Sequence, residues 1–110
     1  MKEIEFLRRL EGKENIVQIK EIRFNDANLQ TTIITSYLDT DDFKSVLNEF
    51  TPRDTAAYMR ALLIALSQLE RAPDPRRKDL RGILHRDVKP GNFLFSRATG
   101  KGLLIDFGLA

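Results

Sequence analysis

The sequence predicts an α+β fold, in which helical segments alternate with β-rich stretches along the chain. Residues 1–11 carry apolar side chains at helical spacing opposite a charged face, which is typical of an amphipathic helix. Residues 16–38 are rich in β-branched side chains around a cluster of turn formers at 25–28, which favours two antiparallel strands. A longer helix is predicted after Pro52, and a second, shorter hairpin near residue 100.

Composition limits the class of protein before any motif is considered. The chain has 110 residues, of which 42% are hydrophobic and 31% charged, as in an ordinary globular domain. Its formal net charge of +2 is too small to indicate nucleic acid or an anionic membrane as a direct partner. The absence of cysteine excludes disulfides and thiolate metal sites, and no stretch has the length of a signal peptide core or a membrane span. We therefore expect an intracellular protein.

The central helices have clear sequence signals. Residues 43–50 predict a short helix, because their apolar side chains share one side. Thr51-Pro52-Arg53-Asp54 combines a capping residue, proline at the first helical position and an acid three residues after the cap, so a long helix is expected to begin there and to end before Pro73. Its predicted buried face consists of Met59, Leu62, Leu63, Leu66 and Leu69.

Residues 72–81 follow that helix and contain two prolines and an excess of positive charge. This composition predicts a solvated surface loop. A docking site for an acidic partner is the alternative interpretation.

The residues with chemical potential are concentrated at 84–110. Asp87 lies in His-Arg-Asp and Asp106 in Asp-Phe-Gly, with Lys89 and Asn92 between them. Two apolar runs, 93–95 and 103–105, flank a segment rich in turn formers, which predicts a hairpin with one functional loop before it and one after it. The hairpin would therefore bring the two loops side by side.

Two carboxylates, an amide and a lysine in this arrangement suit phosphoryl transfer, in which catalysis is mostly positioning and charge neutralisation. One carboxylate would meet the attacking hydroxyl, and the other, with the amide oxygen, would suit magnesium, which prefers hard oxygen ligands. Taken singly, the same residues have simpler interpretations: His85 as a hydrogen-bonded core residue and Asp106 as the cap of a turn before Gly108. Their joint order and spacing favour the catalytic interpretation.

Residues 85–92 resemble the catalytic loop H-R-D-x-x-x-x-N of protein kinases, and residues 106–108 resemble the D-F-G motif that follows it. The Lys-Pro-x-Asn form is similar to the serine/threonine branch. The resemblance implies the central part of a protein-kinase-like fold. Residues 1–38 would be the end of the small lobe with the interlobe hinge, and residues 39–110 the first part of the large lobe through D-F-G.

The resemblance also implies a role for each residue toward ATP and magnesium. Asp87 would act as the catalytic base, Lys89 would steady the transferred phosphate, and Asn92 and Asp106 would hold the metal. His85 and Phe107 would pack together. The predicted nucleotide-binding residues are Glu3, Thr35, Ser36, Tyr37, Leu38, Leu94 and Asp106. Glu3 would pair with a lysine outside this chain; a solvated helix charge is its alternative interpretation.

Residues 88–95, and the Asp-Phe-Gly-Leu-Ala that closes the chain, are similar to cell-division-cycle-seven-type kinases. That resemblance implies a nuclear enzyme with a protein substrate and a Dbf-type regulatory subunit. The sequence departs from a whole kinase domain, however, because it contains no Gly-rich loop, no Val-Ala-Ile-Lys strand and no Ala-Pro-Glu motif. We therefore expect this piece to be inactive alone. A kinase-like binding module and an incomplete gene product are the alternatives.

Overall fold

The computed structural model describes residues 2–40, 42–72 and 82–110, with Lys2 described by its backbone only. The elements are helices α1 (Lys2–Arg9), α2 (Phe43–Val46) and α3 (Pro52–Arg71), and strands β1 (Ile19–Asn25), β2 (Gln30–Thr35), β3 (Phe93–Phe95) and β4 (Gly102–Leu104). Two 3-10 turns, Leu47–Glu49 and Pro90–Asn92, complete them. The α+β prediction is confirmed. The loop predicted at 72–81 lies outside the described residues after position 72.

Strands β1 and β2 form the predicted antiparallel hairpin, with Ile22 opposite Ile33, but its bounds differ from the prediction. Ile16 does not begin β1, because it forms a parallel bridge with Leu104 of the other hairpin. The Leu104 N–H donates to the Asn15 carbonyl oxygen at 2.9 Å, and the Val17 N–H donates to the Leu104 carbonyl oxygen at 3.1 Å. The segment after α1 is therefore fixed to β4, although almost the whole chain separates the two in sequence.

Helix α3 begins as the sequence predicts. The Thr51 hydroxyl accepts a hydrogen bond from the Asp54 N–H at 3.1 Å, and the Asp54 carboxylate accepts one from the Thr51 N–H at 3.0 Å. This reciprocal capping box, with Pro52 at the first helical position, satisfies N–H groups that the helix itself leaves unpaired.

The buried face of α3 differs from the prediction. Met59 and Leu63 are 45% and 58% exposed, so the expectation that they are buried is wrong for this chain. The buried stripe instead runs through Ala61, Ala65 and Leu69, which recur every four residues and so share one side of the helix. Small alanine side chains allow the β3–β4 hairpin to approach the helix closely.

Strands β3 and β4 pair antiparallel, with Phe93 opposite Leu104 and Phe95 opposite Gly102. The ring of Phe93 lies against the backbone of Gly102, where a Cβ atom would come within 2.3 Å of the ring and within 3.2 Å of the Ala61 Cβ. Gly102 is therefore a packing residue, whose missing side chain lets the hairpin dock on α3.

No helix among the described residues has both the length and the apolar character needed to cross a membrane.

Arg97, just after β3, connects the hairpin to the start of α3. Its guanidinium donates to the Asp54 carboxylate at 3.1 Å, to the Glu49 carboxylate at 3.2 Å and to the Glu49 carbonyl oxygen at 3.1 Å. It also lies over the Phe50 ring, 5.7 Å from the centroid. Because four groups share one planar cation, this contact fixes orientation as well as distance.

We expect acid to weaken the α3 cap. The hydrogen bond from the Thr51 N–H holds the pKa of Asp54 below its ordinary value of 3.8, and the Arg97 side chain lowers it by a smaller amount. A carboxyl group whose pKa is lower in the folded state stabilises the fold above its unfolded pKa, and this contribution is lost as the pH falls through the folded pKa. The free energy of unfolding should therefore fall less steeply below pH ~4 in Asp54→Asn than in the wild type. Urea titrations at a series of pH values, from neutral down to about pH 3, measure this difference. The change Asp26→Asn, in the exposed β1–β2 turn, is the control. An identical acid response in all three proteins would contradict the prediction.

Candidate active site

Asn92 fixes the position of Asp87. Its amide nitrogen donates to the Asp87 side-chain oxygen Oδ2 at 2.9 Å and to the Asp87 carbonyl oxygen at 3.0 Å. The 3-10 turn at Pro90–Asn92 turns the chain back so that these residues, five positions apart, can meet. Asn92 is 7% exposed, whereas the Asp87 side chain is 28% exposed. The Asp87 carboxylate is thus fixed by its hydrogen bond to Asn92 and remains partly exposed to solvent.

His85 links the loop that carries Asp87 to the chain before Asp106. Its Nδ1 accepts from the Asp87 N–H at 3.1 Å, and its Nε2 lies 2.7 Å from the Ile105 carbonyl oxygen. Because Nδ1 must be an acceptor, the ring carries its proton on Nε2 and donates it to Ile105. The ring also packs edge-on against Phe107 with centroids 4.7 Å apart, and both side chains are buried. This confirms the predicted packing of His85 and Phe107.

Asp106 lies at a strained backbone position beside the same loop. Its φ is +59°, and its Oδ1 accepts from the Gly108 N–H at 3.2 Å, which closes a local turn. The preceding residue, Ile105, donates its N–H to the Asn92 carbonyl oxygen at 2.9 Å. Ile105 therefore binds both ends of the loop, His85 and Asn92, and Asp106 follows directly. The predicted side-by-side arrangement of the two loops is present.

Lys89, the fourth of the predicted catalytic and metal-binding residues, also lies close to Asp87. Its Nζ lies 3.6 Å from the Asp87 Oδ1, and its side chain is 59% exposed. An exposed ion pair of this length contributes little to folding stability, about 0–1 kcal/mol. The lysine is therefore able to turn toward a bound anion at little cost.

The donor atoms of this site fit a magnesium ion that also binds phosphate. The Asn92 amide nitrogen is occupied by Asp87, so its side-chain oxygen is the atom left for a cation. Asp106 is exposed and uses Oδ1 for Gly108, which leaves Oδ2. Within the part of the chain that the structure describes, no three His, Cys, Asp or Glu side chains form a metal cluster. Proteins commonly bind Mg²⁺ beside nucleotide phosphates through one or two carboxylates and few other protein ligands.

The predicted nucleotide-binding residues lie on other elements. Thr35 ends β2, and the Ser36 N–H donates to the Gln18 carbonyl oxygen at 2.8 Å, so that N–H is already used. Tyr37 and Leu38 make no backbone hydrogen bond within the described residues, and Tyr37 is 73% exposed.

Leu94 is half-buried in the middle of β3. Glu3 is half-buried on α1 and forms no ion pair among the described residues. Among the described residues, no side-chain hydrogen bond or ion pair joins these residues to Asp87 or Asp106, so their roles stay predictions.

Two further features of the site have no sequence signal. One is the backbone of Ile105, whose N–H and carbonyl oxygen join the two loops, since any residue type supplies these groups. The other is a cavity of about 390 Å³ between α2 and the hairpin, which is lined by Leu94 and by Pro90 and Gly91 of the loop. Neither Asp87 nor Asp106 lines it.

Comparison with known proteins identifies the group to which this arrangement belongs. The family model described as protein kinase domain matches residues 1–110. The chain is 34% identical over 108 residues to a probable cell division control protein 7 homolog of Encephalitozoon cuniculi, a match that covers 98% of this chain and 28% of that protein. It is 37% identical over 109 residues to the cell cycle serine/threonine-protein kinase hsk1 of Schizosaccharomyces pombe, covering 98% and 19%.

A human relative, cell division cycle 7-related protein kinase, is 36% identical over 100 residues, covering 90% of this chain and 15% of that protein. The chain thus spans less than a third of the length of each of these relatives. Members of the family that the model describes use ATP and magnesium in general. The loop geometry, the match over the whole chain and the named relatives agree: the chain belongs to the protein kinase domain family and is similar to its cell-division-cycle-7 members.

Proposed function

We propose that the protein carrying this chain is an ATP-dependent serine/threonine protein kinase. The observation that supports this most is the position of Asp87, which is held by Asn92 and His85 beside the turn that carries Asp106. The relatives from Schizosaccharomyces pombe and Drosophila melanogaster are named serine/threonine protein kinases, which supports the same activity.

In this proposal Asp87 is the group that meets the substrate hydroxyl. Its Oδ2 accepts from the Asn92 amide, while Oδ1 forms no hydrogen bond among the described residues and lies 3.6 Å from the exposed ammonium group of Lys89. Oδ1 would accept a hydrogen bond from a serine or threonine hydroxyl and orient it. It would take the proton as the hydroxyl oxygen bonds to the γ-phosphorus of ATP, while the bond between that phosphorus and the bridging oxygen breaks and ADP leaves. Lys89, released from Asp87, would balance negative charge on the transferred phosphoryl group.

Magnesium, when bound with ATP, would neutralise charge on the phosphate oxygens as the phosphoryl group is transferred. The Asn92 side-chain oxygen and the Asp106 carboxylate would hold it. Thr35, Ser36, Tyr37 and Leu38 would border the adenine, Leu94 would lie under it, and Glu3 would pair with a lysine from outside this chain. The free backbone groups of Tyr37 and Leu38 support the hinge role, because they have no partner among the described residues.

Finer parts of the proposal rest on similarity to the cell-division-cycle-7 relatives. We propose a protein substrate, a Dbf-type regulatory subunit and a nuclear location. The main alternative is a kinase-like binding module that regulates a partner without transferring phosphate. The presence of Asp87, Asn92 and Asp106 together favours the enzyme, because a binding module has no need of two open carboxylates at one site.

The decisive experiment is phosphate transfer from γ-labelled ATP to a protein substrate by the full-length protein, with and without magnesium. We expect Asp106→Asn to lower the magnesium-dependent rate by about 100-fold. Asp26→Asn in the β1–β2 turn should leave the rate unchanged. Tight ATP binding without transfer, in wild type and variants alike, would instead favour the binding module.

The same assay on the 110-residue chain alone should detect no transfer. Transfer by this chain that disappears on changing Asp87 to Asn would refute the expectation that the piece is inactive alone.

A further inference from the structure

A groove with a volume of about 510 Å³ runs between α3, the turn after β3 and the loop that follows α1. It lies apart from the candidate active site, since Asp87, Asn92 and Asp106 do not line it. We call it the basic groove, because Arg53 and Arg60 of α3 and Lys101 of the hairpin line it. Glu14 is the one acidic side chain among the described residues of its lining.

The three cations of the basic groove have no ion-pair partner among the residues that the structure describes. Arg53, Arg60 and Lys101 are all exposed, and none of them lies within ion-pair distance of a carboxylate in the described part of the chain. This contrasts with Arg97, which binds two carboxylates close by. Three positive charges against one negative charge make the groove electropositive, so it would attract an acidic partner.

The floor of the basic groove is apolar and made of small side chains. Ala56, Ala57 and Ala61 line it together with Ile64, and a Cβ atom on Gly100 would stand 4.0 Å from the Ala57 Cβ. Small residues on both walls therefore leave the groove open. Its shape would admit apolar side chains between the cations.

We propose that the basic groove is a docking site for an acidic peptide segment of a partner protein, in which acidic side chains alternate with apolar ones. The acidic groups would meet Arg53, Arg60 and Lys101, and the apolar groups would cover the alanine floor. Nucleic acid fits less well, because single strands bind by stacking on aromatic side chains and none of the described residues that line this groove is aromatic. The inference does not depend on the proposed function, because docking requires no catalysis.

The test measures binding of a fluorescein-labelled peptide of alternating glutamate and leucine to the full-length protein by fluorescence anisotropy, without nucleotide. We expect Arg53→Gln together with Arg60→Gln to weaken binding about tenfold, the sum of two exposed charge contacts. Lys20→Gln together with Lys44→Gln removes the same charge from exposed positions that do not line the groove and should have little effect. Ala56→Trp, which fills the groove without changing its charge, should weaken binding to a similar degree.

Each other outcome overturns the proposal. Equal affinity of the wild type and the double arginine variant would show that the groove is not used. Loss of affinity in that variant but not in Ala56→Trp would indicate attraction to charge without docking. Tighter binding of a labelled oligothymidylate that is lost in the same variants would identify nucleic acid as the ligand. Circular dichroism of each variant confirms that the fold is retained.

Discussion

Replacing Asp87 by asparagine in the full-length protein is expected to lower the rate of phosphate transfer by about 10²–10⁴-fold, the usual contribution of a positioned base. Asparagine has the same shape and can still accept the hydrogen bond that Asn92 donates at 2.9 Å, so the loop should keep its conformation. It cannot accept the proton of the attacking hydroxyl. The effect should therefore appear in kcat, with the affinity for ATP nearly unchanged.

Two measurements make this expectation specific. The melting temperature of Asp87→Asn should stay close to that of the wild type, and the exposed-turn variant Asp26→Asn should keep full activity. If Asp87→Asn retained wild-type kcat, the assignment of Asp87 as the base would be wrong, whatever the other loop residues do. If both kcat and the melting temperature fell, the carboxylate would have a structural role instead.

The second large effect is expected from adding one methyl group, in Gly102→Ala. The new Cβ would lie 2.3 Å from the Phe93 ring, which is buried and packs edge-on against Tyr58, so the ring cannot move away without disturbing that contact. Overpacking of this kind costs about 1–3 kcal/mol. A urea titration should show that decrease in the free energy of unfolding. Because β3 begins directly after Asn92, activity should fall as well.

Gly91→Ala is the matched control, since a Cβ atom there meets nothing within 4 Å. Its free energy of unfolding should be close to that of the wild type. Shortening the ring, as in Phe93→Leu combined with Gly102→Ala, should restore part of the lost stability. If the two glycine variants were equally stable, the tight contact at Gly102 would not exist in solution.

Local signals in the sequence predicted much of this molecule correctly. The capping box of Thr51 and Asp54, the turn between β1 and β2 and the hairpin after Asn92 all involve residues close together in the chain. Patterns of a few residues encode such features directly. The order of Asp87, Asn92 and Asp106 likewise predicted a common site, because one short hairpin separates them.

Contacts between distant residues could not be predicted in the same way. The pairing of Ile16 with Leu104 moved the start of β1, and the close approach of the hairpin made alanines the buried side of α3 instead of Met59 and Leu63. In the sequence, nothing distinguishes Arg97 from any other loop cation, because its partners Glu49 and Asp54 lie more than forty residues earlier in the chain. The basic groove could not be predicted either, since its cations come from two separate parts of the chain.

The backbone pairing of residues 15–17 with Leu104 has a consequence for how the polypeptide acquires its structure. Such a pair closes one of the longest loops available to the chain, and contacts of large sequence separation form slowly. During synthesis, the segment after α1 cannot form this pairing until Leu104 has left the ribosome. Until then the nascent chain would leave Ile16 and Val17 without their partner strand, and chaperones bind apolar segments of that kind.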